Sequence, residues 1–213
     1  MSVKLVSHPL VADRLGNLRD KNTRSSQFRT MLHQISLFLF YEANRDSTTQ
    51  EKQIETPLGW TTGSIFNDKN VALVPILRAG LGMTELILKV VPNAEIYHIG
   101  IYREERTLKP KVYYSNLSSA LKGKRVYLLD PMIATAGSLL KCYQMVKVYQ
   151  PAEIYTLCVI ISPEGAELLN REASDLRIYA ASLDGGLTED GFIYPGLGDA
   201  GDRYYDNKRE VSK

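Results

Sequence analysis

Apolar positions recur near helical spacing over residues 24–44, where Phe28, Met31, Leu32, Ile35, Leu39 and Phe40 predict a helix. Residues 50–66 lose that period. Thr, Ile, Trp and Gly gather around Pro57-Leu58-Gly59, which predicts a turn between two short strands, a hairpin arm rather than a second core. From residue 71 onward compact apolar runs alternate with helical ones. Val71–Leu77, Ile96–Tyr102, Arg125–Leu129, Ile154–Ser162 and Leu176–Ser182 read as buried strands. Helices are predicted at Met83–Val91, stopped by Pro92, and over 138–149 and 163–172. This alternation implies an α/β fold, a doubly wound and mainly parallel sheet flanked by helices, whose ligands sit beyond the carboxyl ends of the strands.

Composition narrows the function more by exclusion than by assignment. In 213 residues, 26 Lys and Arg stand against 24 Asp and Glu, so a net charge of +2 makes no electrostatic case for nucleic acid or membrane. An anion site must therefore be local. Cys142 and Cys158 lie in apolar stretches without the spacing of a zinc site or redox pair and read as buried free thiols. The start of the chain lacks a cationic segment followed by an apolar run, and no apolar stretch approaches the roughly 18 residues of a membrane helix. The expected setting is a reducing cytoplasm.

Four segments after strands carry candidate chemistry. Arg125–Leu129 is followed by Asp130-Pro131-Met132-Ile133-Ala134-Thr135-Ala136-Gly137-Ser138 and an amphipathic run. Such a loop can aim several backbone N–H groups and the Thr135 and Ser138 hydroxyls at one anion near a helix N-terminus. It lacks both G-x-G-x-x-G and the Gly-Lys-Ser/Thr ending of a P-loop. Asp130 would repel a phosphate but suits sugar hydroxyls, so a sugar phosphate is the economical ligand, with a merely capped turn as the alternative. Arg78, followed by Gly80 and Gly82, offers a guanidinium beside close-approach backbone, as a diphosphate requires. Arg103 ends its strand before the charged segment Glu104–Pro110, which reads as a mobile loop able to close over a ligand. The stretch Asp184–Asp202 combines six glycines with Phe192 and Tyr194 and reads as an ordered wall that brings main chain close to a ligand.

These residues resemble the phosphoribosyltransferases. Asp130–Ser138 is similar to the phosphoribosyl-diphosphate signature in the D-P-M-x-A-T form of uracil phosphoribosyltransferases. Val74–Met83 looks like the family's diphosphate loop, and Ile101-Tyr102-Arg103 with the stretch to Tyr114 looks like its flexible catalytic loop. Tyr194–Arg203 looks like its uracil-binding segment. Weaker matches at His8-Pro9-Leu10 and Phe28-Arg29 extend the likeness over nearly the whole chain. The resemblance implies a type I phosphoribosyltransferase fold in one domain: a core at about 71–182, N-terminal helices and arm at about 8–66, and a hood including the base-binding segment at about 184–205.

It further implies conversion of uracil and 5-phosphoribosyl-1-diphosphate (PRPP) to UMP and diphosphate, with Arg78, Arg103 and Asp199 as catalytic residues. PRPP would be bound by Arg78, Arg103, Asp130, Pro131, Met132, Ile133, Ala134, Thr135, Ala136, Gly137, Ser138 and Asp199, and uracil by Ile193, Tyr194, Gly198, Asp199 and Ala200. Mg2+ would be held mainly through PRPP oxygens rather than by protein ligands. Two departures stand out. Ala136 replaces the usual glycine of the cradle; if a left-handed backbone were needed, the neighbouring Gly137 is expected to take it. Tyr204-Tyr205-Asp206-Asn207 replaces the usual ending and is expected to touch no residue assigned to chemistry. The rival readings are a non-catalytic nucleotide sensor, which should have lost the cradle or Arg78, and an enzyme for purines, which Pro131 in place of a second acid disfavours. The Trp60 arm and the helix at 24–44 look like spare apolar surface and predict a homodimer or larger assembly. Activation by GTP, known in some members, is tied to no residue here.

Overall fold

The computed structural model describes residues 3–104 and 110–207, Arg103 by its backbone. In chain order the elements are β1 (Lys4–Leu5), α1 (Pro9–Arg19), α2 (Ser25–Ala43), β2 (Gln50–Thr56), β3 (Gly59–Ile65), β4 (Val71–Leu77), α3 (Glu85–Val90), β5 (Glu95–Ile96), β6 (Ile99–Arg103), β7 (Pro110–Ser115), β8 (Arg125–Leu129), β9 (Met132–Ile133), α4 (Gly137–Lys147), β10 (Glu153–Ile161), α5 (Pro163–Glu172), β11 (Arg177–Leu183) and α6 (Ala200–Tyr205). Short 3-10 turns occupy Asp68–Asn70, Ala79–Met83 and Ser119–Leu121.

The main sheet runs β1-β11-β10-β8-β4-β6-β7, with β5 on β4 and β9 on β10. All its pairings are parallel except β6 with β7. Strict alternation in the central strands divides the core. Ala72, Val74, Val126 and Leu128 face the layer holding Leu139, Cys142, Val146 and Leu169 of α4 and α5. Val71, Leu73, Tyr127 and Leu129 face Leu18, Phe28, Leu32, Ile35, Leu39 and Ile87 of α1, α2 and α3. Both faces are covered, which is why these strands are apolar over most of their length. The chain runs from β4 toward β6 and then returns past β4 to β8, so the winding reverses between β4 and β8. A ligand crevice belongs at that reversal.

Helix boundaries have local causes. Pro9 opens α1 and the His8 ring nitrogen accepts from Leu10 N at 3.1 Å; Pro163 opens α5 and Ser162 Oγ accepts from Gly165 N at 2.9 Å.

Several expectations need correction. The helix expected at Met83–Val91 begins later, at Glu85, because Ala79–Met83 winds as a 3-10 turn around the glycines. The strand expected at Ile96–Tyr102 is two, β5 and β6. The segment toward Tyr114, expected to be loop, forms β7 antiparallel to β6. Helix α2 is no spare surface: Phe28, Leu32, Ile35, Leu39 and Phe40 are buried against the chain's own sheet. The arm behaves differently. Strands β2 and β3 pair over seven positions, yet Leu58 is 100% and Trp60 70% exposed.

Candidate active site

A cleft of about 310 Å³ opens at the carboxyl ends of β4, β6 and β8. Arg78 and Ala79 enter it from the β4 end, Ile101 and Tyr102 from β6, and Asp130, Met132, Ile133, Ala134, Ala136 and Ser138 from the loop after β8. Asp199 reaches it from the distant hood. Four chain segments thus meet at the reversal point of the winding.

The loop after β8 is fixed from behind. Asp130 N donates to Leu157 O, and Pro131 O accepts from Val159 N at 3.0 Å and Ile160 N at 3.1 Å, so Pro131 is turned into the sheet and does not line the cleft. Ser162 N donates to Ile133 O at 2.9 Å and Ser162 Oγ to Ala134 O at 2.7 Å. A Cβ on Gly165 would lie 2.4 Å from Ala134 O, so α5 approaches this closely only as glycine. The loop then turns sharply into α4 at Ala136, which holds a left-handed conformation (φ 58°, ψ 0°). The expectation that Gly137 takes this strain is wrong: Gly137 is the first helical residue and has no positive φ. Left-handed alanine costs about 1–2 kcal/mol. Burial of its methyl group in the α4 layer returns up to about 0.8 kcal/mol.

Gly137 and Thr135 lie in the same turn without lining the cleft. The thiols of Cys142 and Cys158 lie beneath it. Burial, and then the charge of Asp130, pushes Cys142 up to about 12 and raises Cys158 well above the ordinary range, so both remain protonated.

The β4 end is equally crowded. The Leu77–Arg78 peptide is cis. A Cβ on Gly80 would fall 2.1 Å from Leu129 O, and one on Gly82 would fall 2.4 Å from the Tyr204 ring, so the 3-10 turn lies flush against β8 on one side and α6 on the other. Arg78 stands with its guanidinium 3.5 Å from Asp202 and over the Tyr205 ring at 5.9 Å, while Tyr205 Oη donates to Arg78 O at 3.2 Å. The Tyr204-Tyr205 ending therefore does touch a residue assigned to chemistry, contrary to expectation. Arg103 ends β6 next to the lining residue Tyr102; its side chain, and residues 105–109 of the expected mobile loop, lie outside the described residues.

The hood is a small ribbon followed by α6. Leu187 bridges Ile193, and Tyr194 N donates to Gly186 O at 2.9 Å. Gly196 (φ 57°) and Gly198 (φ 77°) adopt backbone that side chains disfavour. Asp199 caps α6, its carboxylate accepting from Asp202 N at 2.9 Å. Of the five residues expected to bind uracil, only Asp199 lines the described cleft. Ile193 and Ala200 bury their side chains with Leu197 in the α1–α2 layer, whereas Tyr194 is exposed.

No local pattern in the sequence points to what holds this hood. Asp184, whose side chain is 3% exposed, accepts from Arg19 Nη1 and Nη2 at 2.6 Å each, from Ser182 Oγ at 2.7 Å and from Gly196 N at 3.0 Å. Burial pushes this carboxyl up, but the Arg19 and Ser182 hydrogen bonds outweigh it and the net shift is downward. Arg203 donates to Leu197 O at 2.8 Å and Asp20 O at 2.6 Å, and also to Leu18 O, with its guanidinium 4.7 Å from the Phe28 ring centre.

The sequence model of one family, described as uracil phosphoribosyltransferase, matches residues 5–207. A relative named uracil phosphoribosyltransferase from Thermosipho melanesiensis is 46% identical over 208 residues, 98% of this chain and 100% of the relative. One of the same name from Dictyoglomus turgidum is 44% identical over 206 residues, 97% and 100% of the two chains. A solved protein from Aquifex aeolicus superposes with a TM-score of 0.93 at 37% identity, covering 98% of this chain and 100% of its own. A purine phosphoribosyltransferase from Pyrococcus horikoshii, at 16% identity and a TM-score of 0.50 over 73% of this chain and 84% of its own, shares the fold alone. That shared architecture is the type I phosphoribosyltransferase fold.

Proposed function

We propose a division of labour in this cleft from one premise: the chain belongs to the uracil phosphoribosyltransferase family. It is a pentosyltransferase of pyrimidine salvage that converts uracil and PRPP to UMP and diphosphate. The observation that carries the division is that Arg78, Asp130, Ala134, Ala136 and Ser138 of the cradle, and Asp199 line one cleft at the carboxyl ends of three strands.

Departure of diphosphate leaves positive charge on the ribose ring and gathers negative charge on the leaving group, so the site needs charge stabilisation more than a nucleophile. The cradle anchors the 5-phosphate through main-chain N–H groups of Thr135–Ser138 and the Thr135 and Ser138 hydroxyls, at the positive end of α4. Asp130 orients the ribose hydroxyls, turning remote binding into alignment. Arg78 and Arg103 receive the diphosphate. Carboxylates at Asp130 and Asp199 line the same cleft, a hard oxygen donor set that suits Mg2+, while among the described residues no group of three or more His, Cys, Asp or Glu gathers as a ligand set. Two carboxylates leave most positions of an octahedral ion to PRPP oxygens and water. Bound there, Mg2+ supplies neutralisation of the diphosphate charge.

The hood reads the base with main chain from Ile193, Tyr194, Gly198 and Ala200. An amide donor facing O4 and a carbonyl facing the N3 hydrogen would leave cytosine mispaired at a cost of about 1–3 kcal/mol. Asp199 takes the N1 proton as the bond from N1 to the ribose forms. Formation of UMP from labelled uracil, PRPP and Mg2+, beside cytosine, hypoxanthine and orotate, tests the base reading. Asp199→Asn tests the proton transfer: kcat should fall about 10²-fold or more with binding retained, and normal turnover excludes the role. Adding GTP to the same assay tests allosteric activation.

The assembly is a homodimer or larger, built on the exposed β2–β3 arm, whose Leu58 and Trp60 need a cover that two strands alone do not provide. Light scattering that found only monomer across micromolar concentrations would exclude it. Two buried thiols fit a reducing cytoplasm.

A further inference from the structure

We propose that Arg19 and Asp184 are positioning residues for the base: their ion pair, with its carboxylate buried, closes the foot of the uracil-reading hood and sets where its main-chain groups point. The inference rests on the reading above that this hood binds uracil, and it adds residues from the far end of the chain to that site.

Asp184 and Gly196 stand twelve positions apart, at the two ends of the Gly185–Pro195 ribbon. Both polar groups of the Gly196 main chain are taken by the pair. Its N–H donates to Asp184 Oδ2 at 3.0 Å, and its carbonyl accepts from Arg19 Nη1 at 2.8 Å. The same guanidinium grips the carboxylate with both terminal nitrogens at 2.6 Å and reaches Ser182 Oγ at 3.2 Å. Asp184 is itself tied to the sheet, its N–H donating to Ile161 O at 3.0 Å. The ribbon's foot is thus referred to β10 on one side and to α1 on the other.

The fork geometry matters here. A planar guanidinium can hold two carboxylate oxygens and a carbonyl in one fixed array, which an ammonium cannot. Gly196 also lies close against Ile193, since an added Cβ would meet Ile193 O at 2.2 Å. Ile193 is one of the residues assigned to uracil, so a displacement of Gly196 is passed directly to a base-reading carbonyl. Arg203 secures the next carbonyl, Leu197 O, and spans to Asp20 O beyond Arg19. Exposed ribbons without such anchors move; one whose foot is a buried carboxylate with every bond satisfied holds its groups to the tolerance that recognition needs.

The test compares Arg19→Gln, Arg19→Lys, Asp184→Asn and Ser182→Ala in the full chain, by steady-state kinetics in uracil and PRPP separately and by urea unfolding. Arg19→Gln and Asp184→Asn should raise KM for uracil about tenfold or more while KM for PRPP stays within about twofold, because the cradle is anchored independently to β10 and α5. Arg19→Lys should fall between wild type and Arg19→Gln. If Arg19→Gln or Asp184→Asn fails to fold, Arg19→Lys and Ser182→Ala carry the same test with a smaller rise. Unchanged uracil KM in folded variants, or equal rises in both KM values, overturns the proposal. Gly198→Ala, inside the hood, separates the two readings. If it raises uracil KM and the ion-pair variants do not, only the positioning role fails; if neither does, the hood is not the base site.

Discussion

Gly137→Ala separates what the fold asks of the cradle from what the ligand asks. An added methyl at this position meets no heavy atom nearer than Thr135 Oγ1 at 4.0 Å, and the residue needs no positive φ. The left-handed turn is already made by Ala136, one residue earlier. Nothing in the protein itself therefore requires glycine. Losing the extra freedom of glycine in the unfolded chain should stabilise the fold by about 0.4–1 kcal/mol. For a chain of this size that corresponds to a rise in Tm of about 1–4 °C. The ligand is another matter. A phosphate drawn onto the first N–H groups of α4 must come within hydrogen-bond distance of main chain at Gly137, and a methyl there obstructs the approach. Loss of one hydrogen bond to a charged group is worth about 1.5–3 kcal/mol, so KM for PRPP should rise about 10- to 100-fold. Thermal unfolding and PRPP saturation curves on the same preparation give both numbers. A Tm that falls by several degrees would show that the space is not open. An unchanged KM would refute the placement of the phosphate at this helix end.

Gly80→Ala should behave in the opposite way, since its methyl would sit 2.1 Å from Leu129 O in main chain that cannot yield; lifting the Arg78 turn by about 1 Å should cost about 10²-fold in kcat/KM, read by kinetics against the same assay. Thr156→Val should raise stability by about 1 kcal/mol in urea unfolding, because the buried Thr156 hydroxyl has no hydrogen-bond partner among the described residues. Glu42 is held down to about 2 by hydrogen bonds from Arg45 and then Lys4, from an ordinary value of 4.5. A depressed carboxyl contributes stability that is complete above its unfolded value and is lost as pH falls through the folded one. Wild type should therefore exceed Glu42→Gln by about 1 kcal/mol or less at neutral pH, both cations being largely in solvent, and unfolding midpoints should show the gap closing between about pH 4.5 and 2. Tyr205→Phe keeps the ring beneath Arg78 but loses the bond to its carbonyl, so KM for diphosphate in the reverse reaction should rise less than with Tyr205→Ala, and equal effects would assign no role to the ring.

The central strands were legible because each is an apolar run broken by few polar residues and bounded by turn residues; a parallel sheet covered on both faces leaves no polar alternation to obscure them. Placement of Arg78 and Asp130 in the cleft followed from the rule that loops after such strands carry ligands, without knowledge of the strand order. Two-residue strands such as β1, β5 and β9 have no local signature, since only pairing with a distant strand makes them extended. The left-handed residue was misplaced by one because glycine is the better local choice, while Ala136 is chosen by tertiary packing that buries its methyl. Nor could Arg19 have been found from its polar neighbours Asp20, Lys21 and Asn22: its partner lies 165 residues away. Six residues of α6, entered through glycines, were too short to announce a helix.

The ion pair between Arg19 and Asp184 has a bearing on attempts to graft a new base specificity onto this scaffold. A donor segment spliced in for residues 184–203 would look self-contained in the sequence, yet half of its foundation would remain behind in α1. If the donor lacked a carboxylate at its first position, Arg19 would be left facing an unmatched cavity; if the recipient lacked Arg19, the transplanted acid would be buried without its counter-charge. The buried acid without its partner costs about 3–5 kcal/mol, a large part of the whole stability of a domain, whereas Arg19, whose side chain is 26% exposed, keeps part of its hydration and costs less. Residues 18–20 and 184–203 therefore form one transplantable unit written in two places, and a working chimera has to carry both.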